Sequence, residues 1–141
     1  AVLVGKNTFI IDDPKLNIRN TELNNSNNKP LKIIWWGSSI PNKIKNEHRD
    51  YIFIEATSLT QLDEILLSLG CRVVLVEGGK FVHEMFIKNS KYDLFYEFKS
   101  DFDISNGLNI GDIYKKGLPT SFQNIEKITL KDNVLSIYNN K

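Results

Sequence analysis

Short apolar runs alternate along this chain with segments whose apolar residues recur at helical spacing. The first three runs are rich in β-branched and aromatic residues and predict strands. They are Val2–Val4, Leu31–Trp36 and Tyr51–Glu55. Between Leu59 and Leu69, leucines recur at intervals of three and four residues, which predicts an amphipathic helix. Ser58 or Thr60 can cap this helix at its start, and Gly70 can cap it at its end.

The second half of the chain continues the alternation of strand and helix. Arg72–Val76 contains four consecutive valine or leucine residues, which predicts a central strand covered on both faces. Gly78 and Gly79 end this run, a segment with helical spacing follows, and Tyr92–Lys99 predicts the next strand. Two further apolar runs surround Lys131–Asn133 and predict a hairpin. They are Ile125–Leu130 and Val134–Tyr138.

These elements predict an α/β chain. We expect one mixed, mostly parallel sheet with helices on both faces and a C-terminal β-hairpin. A length of 141 residues corresponds to a single domain, which we expect to span residues 1–141. The asparagine-rich segment Asn20–Lys29 is predicted to be a solvated loop inside this domain, because strands flank it closely on both sides.

Composition and charge exclude several classes of protein. The formal net charge of +1 provides no basic stripe of the kind that a nucleic-acid-binding domain uses. No apolar run is long enough to cross a bilayer and no signal peptide is recognisable, so we expect a cytoplasmic protein. Cys71 is the single cysteine, and with two histidines it leaves no metal-ligand set. His83 is interpreted as a helix-surface or cofactor-side residue, and His48 as solvated.

The first segment that carries chemistry follows the first predicted strand. The strand leaves the sheet at Gly5, and Thr8, a pair of carboxylates beginning at Asp12, Pro14 and Arg19 follow. Ligands of open α/β sheets bind at the carboxyl ends of strands, where these groups would lie, and a guanidinium there can hold a phosphate. A structural interpretation stays open, in which Thr8 caps a short helix, the carboxylates form a turn, and Arg19 is solvated.

The second segment that could take part in binding or catalysis is Glu77-Gly78-Gly79, which follows the valine-rich run. Two glycines let the backbone approach a ligand closely, and the N-terminus of the following helix can bind an anion. Glu77 is placed to bond a ligand or to orient another group. A glycine pair alone is a weak signal, because tight strand-to-helix turns use glycine in any case. The chain has neither a dinucleotide fingerprint of the G-x-G-x-x-G type nor a P-loop lysine at this point.

In this order and separation, the two segments resemble the reductase domain of the bifunctional riboflavin-biosynthesis deaminase/reductase family. The hallmark of that family is L-V-G-x-x-T-x-x-x-D-x-P-x-L-x-x-R with a later V-E-G-G, and each defining position is occupied here. The resemblance covers essentially the whole chain. It implies a dihydrofolate-reductase-like fold and an NADPH-dependent oxidoreductase. The implied reaction reduces 5-amino-6-(5-phosphoribosylamino)uracil to the 5-phosphoribitylamino product in riboflavin biosynthesis.

The resemblance also implies roles for individual residues. Asp12 and Glu77 are implied as catalytic residues, and no metal is needed. Substrate contacts are implied for Leu16, Arg19 and Glu77. Cofactor contacts are implied for Thr8, Asp12, Gly78, Gly79, Lys80 and Phe81.

The chain departs from the family pattern in three places, of which the change from Asp-Glu to Asp93-Leu94 is minor. A lysine-bearing strand precedes the first motif in the family, so we expect that the native chain continues upstream of Ala1 and carries a deaminase domain there. After the second strand, the family has an aspartate and a serine or arginine where this chain has Trp36 and Gly37. This difference leaves the preference for NADPH over NADH open. The implied partners are a phosphorylated pyrimidine substrate and a second copy in a homodimer, with no nucleic acid or membrane.

Two alternative functions remain at this point. One is a related NADPH reductase of the same fold that acts on another pyrimidine or pterin substrate, against which Arg19 argues because it predicts a phosphorylated ligand. The other is a truncated domain that folds without turnover.

Overall fold

The computed structural model describes residues 1–19, 29–102 and 118–141. These residues form two compact units, Ala1–His83 and Glu84–Lys141. Most of the Asn20–Lys29 segment, predicted as a loop, lies outside the described residues.

The first unit contains a four-stranded parallel sheet with the strand order β3-β2-β1-β4. Its strands are β1 (Val2–Gly5), β2 (Lys32–Trp35), β3 (Ile52–Ile54) and β4 (Leu75–Gly78). Its helices are α1 (Lys6–Asp12), α2 (Asn42–Glu47), α3 (Leu59–Ser68) and the first residues of α4 (Lys80–Lys88). Strand β1 pairs with both β2 and β4, so the strands that lead into the two chemical segments are direct neighbours.

Helices cover both faces of this sheet. Successive side chains of a strand point to opposite faces, and Leu3 and Val4 are both fully buried in β1. On the Val4 face, Phe9 of α1 belongs to the same buried cluster. On the opposite face, Gly5 lies against Val82 of α4. The predicted arrangement of helices on both faces is therefore confirmed.

Helix α3 forms where the leucine spacing predicts it. The hydroxyl of Ser58 accepts a hydrogen bond from the backbone N–H of Gln61 at 3.3 Å and caps the first turn. Gly70 has a φ of +73° just after the helix, as expected for a residue that ends one. The side chain of Leu62 is fully buried, whereas Leu67 is 72% exposed, so the helix is amphipathic.

Strand β4 differs from its prediction in position and in burial. It spans Leu75–Gly78 rather than Arg72–Val76, and within the described residues it pairs with β1 alone. Val73 is 79% exposed and Leu75 is 52% exposed, so the prediction of a central strand covered on both faces is wrong. A run of valine and leucine reflects a preference for extended backbone, but burial depends on which other elements lie beside the strand.

The second unit holds three antiparallel strands in the order β5-β7-β6. They are β5 (Leu94–Ser100), β6 (Phe122–Leu130) and β7 (Asn133–Asn140). Ile87 of α4 packs with Phe95 and Phe122 in the buried cluster of this unit. Lys131 adopts a φ of +50° in the tight turn between β6 and β7, and the predicted C-terminal hairpin is confirmed.

The fold class is confirmed as α/β with a parallel sheet and a C-terminal hairpin. The strands belong to two hydrogen-bonded sets, four parallel and three antiparallel, where the sequence led us to expect one mixed sheet. Among the helices of the described residues, none has the length and apolar character required to cross a membrane.

Candidate functional site

The two chemical segments meet at the carboxyl ends of β1 and β4. These adjacent parallel strands both end in glycine, at Gly5 and Gly78, and each leads directly or within one residue into a helix. Strand order alone therefore places the starts of α1 and α4 side by side at one edge of the sheet. This edge is where open α/β sheets bind their ligands.

A hydrogen bond joins the two segments. The hydroxyl of Thr8 donates to the carbonyl oxygen of Gly78 at 3.1 Å. Gly79 has a φ of +88°, and a methyl group on it would lie 2.5 Å from the Thr8 hydroxyl oxygen. Only glycine combines this backbone conformation with this close approach. The interpretation of Thr8 as a helix cap is wrong, because Gly5 is the N-cap of α1 and Thr8 lies inside the helix.

The other two glycines allow α4 to pack closely on the strand ends. A methyl group on Gly5 would lie 2.7 Å from Val82 Cγ2, and one on Gly78 would lie 2.8 Å from Val82 Cβ. Gly78 is itself buried, whereas Gly79 is exposed. Of the two glycines implied as cofactor residues, Gly79 therefore has a backbone open to solvent, and Gly78 carries the packing of the helix.

The rest of the first segment is held by contacts with the core of the first unit. Asp12 ends α1 with an exposed side chain, and the next residue, Asp13, takes the left-handed conformation with a φ of 42°. Leu16 also has a positive φ, of 47°, and its half-buried side chain packs against the aromatic core cluster. The hydroxyl of Tyr51 donates to the carbonyl of Pro14 at 2.9 Å. Leu16, implied as a substrate residue, is thus anchored in the protein.

An ion pair orders the exposed side of this turn. The ammonium of Lys15 lies 2.6 Å from the carboxylate of Asp13. The hydrogen bond and the charge of Lys15 lower the pKa of the Asp13 carboxyl. Asp13 is therefore engaged within the turn, whereas the side chain of Asp12, implied as catalytic, faces solvent.

The remaining implied residues lie exposed on separate elements. Arg19 ends the first segment, Glu77 is in β4, and Lys80 begins α4. Phe81 is 64% exposed, and its ring centroid lies 6.2 Å from that of Trp35. The structure brings Thr8, Gly78 and Gly79 into contact, and leaves the charged side chains exposed to solvent.

Sequence reasoning missed or misjudged several neighbours of this site. The ammonium of Lys6 lies 5.0 Å from the ring centroid of Trp36, at the adjoining strand ends. His48 is half-buried rather than fully solvated, because its ring packs in a T-shaped arrangement against that of Phe9, with 4.9 Å between the ring centroids. The sequence showed only that Val82 lies at helical spacing, and did not predict its contact with Gly5 and Gly78. Within the parts of the chain that the structure describes, no group of three or more His, Cys, Asp or Glu side chains could hold a metal ion.

His83 is bound to the same turn. Burial lowers the pKa of its imidazole, and a hydrogen bond to the backbone carbonyl of Glu77 opposes that shift. Its backbone N–H also donates to the carbonyl of Gly79 at 3.1 Å. The only sequence signal for this residue was its position four residues after Gly79.

Comparison with known proteins identifies the fold. No family model matches the sequence, and no curated protein matches it. Among solved structures, RibD from Acinetobacter baumannii superposes with a TM-score of 0.73 at 19% identity, over 100% of this chain and 47% of that one. The diaminohydroxyphosphoribosylaminopyrimidine deaminase/5-amino-6-(5-phosphoribosylamino)uracil reductase from Thermotoga maritima gives a TM-score of 0.69 at 23% identity, over 99% and 45%.

A shorter protein shows the same similarity. A pyrimidine reductase-like protein from Corynebacterium diphtheriae gives a TM-score of 0.71 at 13% identity, over 100% of this chain and 75% of that one. The chain thus spans about half the length of the two-activity proteins that it matches. It has the α/β fold of their reductase half, which is the dihydrofolate-reductase-like fold that the sequence implied.

The contact between Thr8 and Gly79 predicts a specific pattern of destabilisation. Gly79→Ala introduces both an unfavourable φ and a collision with Thr8, whereas Gly70→Ala introduces only the unfavourable φ. We expect Gly70→Ala to cost about 1 kcal/mol, the typical penalty for a left-handed alanine, and Gly79→Ala to cost clearly more. Urea denaturation followed by tryptophan fluorescence measures both, since Trp35 and Trp36 both lie in the first unit.

A second substitution isolates the collision. Adding Thr8→Ala to Gly79→Ala removes the obstructing hydroxyl, so we expect the double variant to regain part of the stability lost by Gly79→Ala. Equal losses for Gly70→Ala and Gly79→Ala, with no such recovery, would show that the contact does not constrain the turn.

The lowered pKa of His83 predicts a pH-dependent contribution to stability. At mildly acidic pH the unfolded chain binds a proton on His83 that the folded chain releases, so stability falls as pH decreases below the ordinary histidine pKa of 6.5. We expect His83→Asn to lose this part of the slope in urea midpoints between about pH 5 and about pH 7. His48→Asn, which retains His83, should keep it. An unchanged slope in His83→Asn would contradict the assignment.

Proposed function

We propose that this chain is an NADPH-dependent reductase that converts 5-amino-6-(5-phosphoribosylamino)uracil to its 5-phosphoribitylamino product in riboflavin biosynthesis. The observation that carries the proposal is the hydrogen bond from Thr8 to Gly78, which joins the two sequence segments at one edge of the sheet. The fold shared with solved deaminase/reductase structures supports it. Two alternatives compete with this proposal. One is a related reductase that acts on another pyrimidine or pterin, and the other is a domain without turnover.

The turn at Gly79 and the start of α4 suit the phosphates of a dinucleotide. The first backbone N–H groups of a helix have no partner inside the helix, and the helix dipole favours an anion there. No acidic side chain lies in the first turn of α4, and the exposed ammonium of Lys80 adds a positive charge. These features fit the cofactor contacts that the resemblance implies for Gly79, Lys80 and Phe81.

The exposed charged groups suit a phosphorylated sugar. The guanidinium of Arg19 can grip a phosphate with two parallel hydrogen bonds. The carboxylates of Asp12 and Glu77 can accept hydrogen bonds from ribose hydroxyls, and both side chains are exposed to solvent. In this proposal the two carboxylates orient the sugar, and the anchored backbone at Leu16 fixes the start of the substrate-binding segment.

Thr8, Asp12 and residues 78–81 would hold NADPH, which would supply a hydride to the sugar carbon C1 in the open-chain form of the substrate, while solvent would supply the accompanying proton. The residues of the chain bind and orient the reactants, and this alignment lowers the barrier without a covalent enzyme intermediate. Glu77 is placed at the end of β4, beside the phosphate-binding turn, and therefore close to the point where cofactor and substrate would meet.

Arg19→Ala tests the phosphorylated substrate directly. We expect KM for the phosphorylated pyrimidine to rise about tenfold or more, because a charge-assisted hydrogen bond contributes about 1.5–3 kcal/mol. The NADPH Kd should stay within about twofold, since Arg19 is assigned to the substrate alone. Substrate-dependent loss of NADPH absorbance measures the first quantity, and NADPH fluorescence the second.

Arg49→Ala is the matched control, because Arg49 is also exposed and lies outside both segments. Full activity of Arg19→Ala would favour the related reductase acting on an unphosphorylated ligand. Failure of the unaltered chain to bind NADPH or to oxidise it would favour the non-catalytic domain.

A further inference from the structure

Two adjacent tryptophans stand at the carboxyl end of β2, and both are held in place by the first unit. Trp35 and Trp36 are each only 6% exposed. The indole N–H of Trp35 donates to the carbonyl of Ala56 at 2.6 Å. The ring of Trp36 lies in the buried cluster with Phe9, and packs in a T-shaped arrangement against Phe53 with 5.8 Å between the ring centroids. Neither indole can therefore move freely.

Each tryptophan supports an exposed side chain from a neighbouring helix. Phe81, in the first turn of α4, is 64% exposed, and its ring centroid lies 6.2 Å from that of Trp35 with the planes tilted by 45°. Lys6, the first residue of α1, is exposed, and its ammonium lies 5.0 Å from the ring centroid of Trp36. An exposed side chain that rests on a fixed ring loses less freedom when it binds a ligand.

The strand order places these two side chains beside one crevice. In the order β3-β2-β1-β4 the chain runs outward from β1 to β2 and β3 on one side, and β4 lies on the other side of β1. Open α/β sheets bind nucleotides at the carboxyl ends of the strands where the order reverses in this way. Because β2 and β4 flank β1, they lie roughly 10 Å apart. The contact between Phe81 and Trp35 spans this gap.

The two exposed groups are chemically suited to different parts of a nucleotide. An exposed aromatic ring can stack on a planar base. An ammonium can bind a phosphate as a compact positive charge. Two other lysines near these strand ends, Lys43 and Lys45, are paired with carboxylates, whereas Lys6 forms no ion pair within the part of the chain that the structure describes.

We propose that Phe81 stacks on the adenine ring of the bound nucleotide and that Lys6 binds the phosphate on its adenosine ribose, with Trp35 and Trp36 as positioning residues. The identity of the nucleotide as NADPH rests on the proposed function, whereas the placement of the four side chains does not. Only NADPH carries this phosphate, so the proposal predicts a preference for NADPH over NADH, which the sequence left open.

Two nucleotide fragments and matched variants test the two contacts separately. Adenosine 2′,5′-bisphosphate and adenosine 5′-monophosphate share the adenine ring, and only the first carries the ribose 2′-phosphate. Phe81→Tyr keeps an aromatic ring and Phe81→Leu does not. Lys6→Arg keeps the charge, whereas Lys6→Met keeps only the length of the side chain. Phe98→Leu is the control, because Phe98 is 67% exposed but lies on β5 of the second unit.

Calorimetric titration measures the Kd of each fragment. We expect Phe81→Leu to weaken both fragments about fivefold or more, the effect of losing one stacked base. Lys6→Met should weaken the bisphosphate about tenfold, the effect of one lost charged contact, and leave the monophosphate within about twofold. Phe81→Tyr, Lys6→Arg and Phe98→Leu should bind like the unaltered chain. The ratio of the NADH Kd to the NADPH Kd should fall about tenfold in Lys6→Met.

Three results would overturn the proposal. They are no binding of the bisphosphate by the unaltered chain, unchanged affinity in Phe81→Leu or Lys6→Met, and an equal loss of both fragments in Lys6→Met. Near-UV circular dichroism of the two tryptophans verifies folding, and Lys6→Gln replaces Lys6→Met if that variant is misfolded. If the chain binds the bisphosphate through Phe81 and Lys6 but does not oxidise NADPH with the phosphorylated pyrimidine, the proposed function fails and this inference stands.

Discussion

The candidate site depends on one hydrogen bond between residues that are 70 positions apart, from the Thr8 hydroxyl to the Gly78 carbonyl. This bond forms because β1 and β4 are adjacent and parallel, so that both strands end at the same edge. The backbone of Gly79 lies so close to the Thr8 hydroxyl that no side chain fits at this position, and even a methyl group would collide with Thr8. The glycines of both segments are therefore required by packing and backbone conformation before any ligand binds.

Packed apolar residues and exposed charged residues have different roles at the carboxyl ends of β1 and β4. Val82 packs against Gly5 and Gly78 and fixes α4 on the strand ends. The charged groups that can meet a phosphate or a sugar stand outside this packed base. Side chains that bind ligands are placed most precisely when the backbone beneath them is held in this way.

Features determined by neighbouring residues were predictable from sequence. The leucine spacing with Ser58 and Gly70 predicted α3, and the turn residues at Lys131–Asn133 predicted the hairpin. Features that depend on distant partners were not. The exposure of Val73 depends on which strands flank β4, and the role of Thr8 depends on a carbonyl that only the strand order brings close. His83 is a further case, because helical spacing does not show the burial that lowers the pKa of its imidazole.

The central claim is that the bond between the two segments builds a cofactor site. Calorimetric titration of NADPH into the unaltered chain, Thr8→Ser and Thr8→Val tests it most directly, because serine keeps the hydroxyl and valine keeps the shape without a donor. We expect similar Kd values for the unaltered chain and Thr8→Ser, and a Kd about tenfold or more higher for a folded Thr8→Val. Equal affinity in Thr8→Val, or no binding by the unaltered chain, would contradict it.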